Sequence, residues 1–362
     1  NMGTLQQSAG DLILVTNGTG AATVVNNAGI DFGTSNVGGA LSATASAGNI
    51  TQNGGAITVA GTSSFILGAN SANVVLDHAS NAFSGAVTLL AGAGGSQAFG
   101  NVTFVDDSAV KIDANADAAG DLYLNAGTDG AVGGNLAVTA TTGNITQGVA
   151  VAVTGTSAFT TSASDATITL GTTTNALGGT VAFTTAGTAG NVVIDNGTTG
   201  LDLAASTING TLTATGGASA GIVDSGNVAV AGNVTLTTDA GNGVINMGTL
   251  QQSAGDLILV TNGNGAATVV NNAAIDFGTS NVGGALDVTA SAGTITQNGG
   301  ALTVAGTSAF TTSTNDQAIT LSNTTNALTG AVAFTTGGTA GNVVIDNGTT
   351  GLDLAASTIN GT

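Results

Sequence analysis

Three stretches of this chain are near copies of one another. "GNITQNGGAITVAGTSSF" occupies residues 48–65, "GNITQGVAVAVTGTSAF" residues 143–159, and "GTITQNGGALTVAGTSAF" residues 293–310. Repetition constrains the fold more than any other feature here. A unit too short to bury its own apolar side chains has to be completed by its neighbours. The copying extends further. Residues 1–65 return as 246–310 with 58 of 65 positions identical, the changes falling at 19, 29, 42, 43, 49, 57 and 64. Residues 179–211 return as 330–362 with two changes, Thr180 to Ala331 and Ala186 to Gly337. A more divergent copy fills the middle, where "GGALSATA" from Gly38 corresponds to "GGNLAVTA" from Gly133 and "GGALDVTA" from Gly283.

A shorter beat runs beneath these modules. "NVVI" at Asn191, "TLTA" at Thr211, "NVTL" at Asn233 and "DLIL" at Asp256 follow one another at 20 to 23 residues. Within each core the period is two, so Val234 and Leu236 share one face and Thr235 and Thr237 the other. That is the pattern of a half-buried strand, and it predicts an inward Val234. The connections, such as "NGTTG" and "TASAG", supply Gly and Asn for left-handed turns.

Short strands and tight turns at this spacing predict an all-β fold, a parallel β-solenoid forming one continuous array over residues 1–362. Its modules are expected at 38–132, 133–282 and 283–362. About 16 coils of roughly 20–23 residues, with strands ~4.8 Å apart, would stack to about 80 Å. Abundant Ala and Val suit a thin interior that a bulky ring is expected to overfill. Proline is absent, as suits strands that donate to a ladder on both sides. A set of β-sandwich domains shares the turn spacing, but no unit of ~100 residues carries the bulky aromatic core expected of one.

Composition narrows the function classes. Charged residues are only 6% of the chain, and all 20 acidic residues are aspartates, against one lysine and no arginine. The near-absence of Glu, Lys and Arg argues against helices. A net charge of −19 with one lysine gives no basic face for nucleic acid or anionic lipid. No apolar run approaches ~18 residues, so no membrane span is expected. Cysteine is absent, which fits export but does not require it.

Residues able to do chemistry are scarce. His78 is the only histidine, and the other copies lack it; it reads as an exposed turn residue. Paired carboxylates could hydrolyse a glycosidic bond, yet Asp195 recurs as Asp346, Asp202 as Asp353 and Asp31 as Asp276, as turn residues do. The least repetitive stretch, "FVDDSAVKIDANADAAGDLYL" at 104–124, gathers Asp106, Asp107, Asp113, Asp117 and Asp121 around Lys111 and Tyr123. Asp106, Asp107, Asp113 and Asp117 are the candidate calcium ligands, since calcium takes several oxygens. The competing reading is an acidic loop screened by Lys111, and neither a Gly-centred calcium loop nor a Gly-rich nonapeptide is present. No other cofactor is implied. "NIT" and "NVT" sequons, at Asn49, Asn101, Asn144 and Asn233 among others, read as turn and ladder positions where stacked Asn can hydrogen-bond in register. Outward threonines suggest an ice-binding face, but "VTLTT", "ITLGTTT" and "VAFTT" vary in spacing.

The strings "VGGALSATASAGNITQNGGAITVAGTSSF", "SNAFSGAVTL" and "GLDLAASTINGTLTATGG" resemble the repeat region of filamentous haemagglutinin-like, two-partner-secretion exoproteins and related β-strand-repeat adhesins. The resemblance spans essentially the whole chain. It implies a right-handed parallel β-helix, exported through an outer-membrane pore to the bacterial cell surface or beyond, serving as an adhesive or structural fibre. That family's amino-terminal secretion domain has no counterpart here. The chain opens mid-module at Asn1 and closes mid-module at Thr362 without a polar capping repeat. It is expected either to continue beyond both ends or to stack there on other copies. The expected function is a non-catalytic structural or adhesive stalk, with a glycan or protein receptor as possible partner. An alternative is the subunit of a filament associating end to end or laterally. A polysaccharide-active β-helix enzyme is a third reading from another class.

Overall fold

The computed structural model describes residues 1–92, 97–126, 129–217, 220–239 and 241–362. The chain divides into two compact units, Asn1–Gly187 and Thr188–Thr362. Each is a parallel β-solenoid, and they hold about 15 turns in all, with no helix among the described residues. Val234 is fully buried, as its alternation with Thr235 requires.

In the first unit one face stacks Ala22–Asn26, Leu41–Ala45, Ser63–Leu67 and Val87–Ala91 in parallel register. A second face stacks Ile30–Phe32, Ile50–Gln52 and Val74–Leu76. Ser35–Val37, Ile57–Val59 and Ala82–Phe83 close a third side. Glycine is needed at the corners for closeness. A Cβ on Gly61 would sit 2.7 Å from the Gly39 carbonyl carbon, and one on Gly85 2.6 Å from the Gly61 carbonyl oxygen. Coils therefore meet backbone to backbone at these corners.

Among the described residues of this unit the regular order is broken after Val87–Ala91. Asp121–Asn125 follows Val110–Asp113 in the chain but precedes it in the stack, pairing with Val87–Ala91 on one side and Val110–Asp113 on the other. Val110–Asp113 then pairs with Ile145–Gln147. One face thus gains an extra strand, while the second passes directly from Val74–Leu76 through Val102–Asp106 to Leu136–Ala140. The repeats change faces as a result. Leu41–Ala45 lies on the first face, but its sequence counterpart Leu136–Ala140 lies on the second.

The second unit stacks Val192–Asp195, Leu212–Gly216, Val234–Thr238 and Asp256–Val260 on one face. On another, Ile245–Gln252, Ala267–Asn271, Leu286–Ala290, Ser308–Asn315 and Val332–Gly337 follow in order.

The interior corrects one expectation. Rings do not overfill the layers: all 10 phenylalanines are buried. Phe32, Phe65, Phe83 and Phe104 form a chain with centroids 6.0, 5.9 and 5.5 Å apart. Phe277, Phe310 and Phe334 form another at 6.2 and 5.8 Å. Parallel coils repeat at a spacing that lets rings in neighbouring layers touch face to face or edge to face, adding to area burial.

The repeated segments show what an overlying coil does. Leu201, Leu203 and Ile208 are buried, at 1% exposure or less, and stack against strands Ile222–Asp224 and Val228–Val230. Their copies Leu352, Leu354 and Ile359 are 39%, 60% and 41% exposed. Likewise Met247 is fully buried and its copy Met2 is 40% exposed.

Candidate functional surfaces

The acidic stretch does not assemble its carboxylates into a cation site. Asp106, only 2% exposed, ends the strand Val102–Asp106 and turns inward. Its Oδ1 accepts the Phe83 and Asp107 N–H groups, each at 2.9 Å, and its Oδ2 accepts the Ser108 hydroxyl at 2.7 Å. Burial raises its pKa above the ordinary carboxylate range, a push these hydrogen bonds only partly oppose. Asp107 and Asp117 are exposed. Asp113 forms an ion pair with Lys111 and accepts the Ala114 N–H, and the Lys111 ammonium holds its pKa low. Asp121 accepts the Ala118 N–H at 2.7 Å and the Asp117 N–H at 3.3 Å. Among the described residues, no group of three or more His, Cys, Asp or Glu side chains converges as metal ligands would.

Other aspartates work as turn caps in the same way. Asp224 accepts the Gly248 and Thr249 N–H groups, both at 2.8 Å. Asp316, at φ 61°, accepts those of Thr339 and Ala340 at 2.7 and 2.8 Å, and these bonds lower its pKa. Asp195 and Asp346 each accept the N–H two residues on, from Gly197 and Gly348. These are acceptor duties that a turn-rich backbone requires. His78 is exposed, and its Nδ1 accepts the Ser80 N–H at 3.1 Å.

The asparagines form ladders. The Asn73 N–H donates to Asn49 Oδ1 at 2.9 Å, Asn101 to Asn73 at 2.7 Å, Asn135 to Asn101 at 2.9 Å, and Thr156 to Asn135 at 2.8 Å. The sequon residues Asn49 and Asn101 are therefore corner residues that tie one coil to the next. Outer threonines also align, as Thr139, Thr160 and Thr184 in one unit and Thr289, Thr311 and Thr335 in the other. Their partners two residues earlier are Ala137, Ala158 and Ala182, or Asp287, Ala309 and Ala333. The face is an Ala/Thr ladder with one Asp and not a uniform Thr array.

Two features escaped sequence reasoning. The first is the role of Asp106. Aligning "NVTFVD" at 101–106 with "NVVIDN" at 191–196 and 342–347 would have found it, since Asp106 takes the place of Asn196 and Asn347. The second is a recurrent buried hydroxyl. Ser63, Ser157 and Ser308, equivalent residues of the three opening repeats, are each 2% exposed and have no hydrogen-bond partner.

Residues 19–90, 99–184, 189–253 and 263–335 each match one family model, described as repeats of unknown function (DUF5649). No curated protein and no solved structure matches the chain.

Proposed function

Since the chain belongs to this family of repeats of unknown function (DUF5649), we propose that its product is the stack itself: a non-catalytic structural or adhesive β-solenoid, displayed outside the cell. The observation that carries this reading is the fate of the carboxylates. Asp106, Asp121, Asp224 and Asp316 are engaged by backbone N–H groups of their own turns or of a neighbouring coil. A catalytic pair needs carboxylates poised at an open cleft with differing environments. Here the acids serve the backbone, and the copies differ chiefly at positions that leave the strand pattern intact. Export and surface display rest on the resemblance of the repeat strings to filamentous haemagglutinin-like exoproteins. Adhesion would act through outward ladders such as Thr289, Thr311 and Thr335.

The test has two arms. Antibody labelling of intact cells should detect the protein at the surface, and label appearing only after permeabilisation would end the extracellular reading. Purified protein incubated with uronate-containing and neutral polysaccharides should release no new reducing ends; sustained turnover would make it an enzyme.

A further inference from the structure

Within the segment where the repeat changes faces, one side chain departs from its equivalents in a way that chemistry can act on. In the second unit Asn347 Oδ1 accepts the Leu328 N–H at 2.8 Å, and its Nδ2 donates back to the Leu328 carbonyl at 3.0 Å. Asp106 stands in the equivalent place against Phe83. Its Oδ1 accepts the Phe83 N–H at 2.9 Å, but a carboxylate has no hydrogen to return. The Asp106 group is 2% exposed; Lys111 pairs with Asp113, and Asp77 and His78, which follow the packed strand Val74–Leu76, are both exposed. The strands packed around it, Val74–Leu76, Ala82–Phe83 and Leu136–Ala140, carry no titratable side chain. Asp107, which follows it in the chain, is the one charged group acting on it, and it is of like sign.

We propose that Asp106 makes this coil a pH-responsive joint, closed when the carboxyl is protonated and opening more readily once it ionises. A protonated carboxyl is a donor as well as an acceptor, and so matches the asparagine it replaces. The ionised form is a buried charge compensated by hydrogen bonds alone. Burial raises the folded-state pKa above the unfolded value. The contribution is therefore fully present below the unfolded pKa and is lost as pH rises through the folded one.

The chain carries its own reporter. Lys111 is the only lysine or arginine, so trypsin can cut at one place. It lies in Val110–Asp113, a strand paired on both sides, immediately after the joint. Cleavage there needs local opening, and when closing is fast the rate follows the open population. Native protein is digested from mildly acidic to neutral pH, each rate being divided by that of an unstructured single-lysine peptide under the same conditions.

The normalised rate of the unaltered chain should rise severalfold with pH, while Asp106→Asn should be cut more slowly at neutral pH and show a flat profile. Equal rates for the two at neutral pH, or parallel profiles, would overturn the proposal. If Asp106→Asn does not fold, Ser108→Ala decides. It removes a hydrogen bond that favours the charged form, so its rise in cleavage should move to higher pH. An unmoved profile would equally overturn the joint.

Discussion

Gln297 and Asn326 face each other across neighbouring coils and exchange hydrogen bonds. Gln297 Nε2 donates to Asn326 Oδ1 at 2.6 Å, and Asn326 Nδ2 donates to Gln297 Oε1 at 2.9 Å. Gln52 with Asn81, and Gln147 with Asn175, repeat the arrangement. Asn326 Oδ1 also accepts the buried Leu302 N–H at 2.8 Å. Asn326→Leu would leave that N–H without its partner and take one acceptor from Gln297 Nε2, which keeps the Gly300 carbonyl. An unsatisfied buried group costs about 1–3 kcal/mol, so urea unfolding should show a loss of about 1–3 kcal/mol. An unchanged midpoint would mean that solvent reaches this column.

Phe310 touches Phe277 on one side and Phe334 on the other. Phe310→Ala leaves a cavity between two layers at once and is expected to cost about 3–5 kcal/mol. A loss under about 1 kcal/mol in thermal or urea melts would show that the layers collapse to fill it.

Ser157 calls for the opposite outcome. Its hydroxyl is buried without a partner, so Ser157→Ala removes a desolvated polar group and leaves a smaller, apolar side chain. The variant should match the parent or exceed it by up to ~1 kcal/mol. A clear destabilisation would reveal a bond that the geometry lacks.

Asp316 carries a pH dependence of the other sign from Asp106. Bonds from the Thr339 and Ala340 N–H groups lower its pKa. Its contribution is therefore present above the unfolded pKa and lost as pH falls through the folded value. Asp316→Asn keeps the tolerance for positive φ but drops the charge. The parent should be the more stable protein at neutral pH, and the gap should close as pH is taken below about 4. A constant gap would assign the effect to backbone geometry.

Most of the architecture could be read in the residues themselves. Period-two cores such as "NVTL" place Val234 and Leu236 inside, and turns rich in Gly and Asn set the coil length. What escaped was of a different physical kind. The phenylalanine chains depend on which layers become neighbours, a matter of stacking register that no single coil encodes. The exchange of Val110–Asp113 and Asp121–Asn125 is invisible for the same reason: both read as strands, and their order in space is a tertiary outcome. The candidate calcium ligands do not converge, and local partners hold two of them: Asp107 and Ser108 donate to Asp106, and Lys111 and Ala114 to Asp113. Turn backbone supplies donors within two or three residues, ahead of any distant partner.

That exchanged strand bears on how copying a module changes what the molecule presents. Before it, an outward side chain such as Ser42 of Leu41–Ala45 looks out from one side of the first unit. After it, the corresponding Ala137 of Leu136–Ala140 looks out from another. Duplicating a segment on either side of the step therefore does more than lengthen a column: it points the same motif in a new direction. One inserted strand lets a single repeated sequence face two directions.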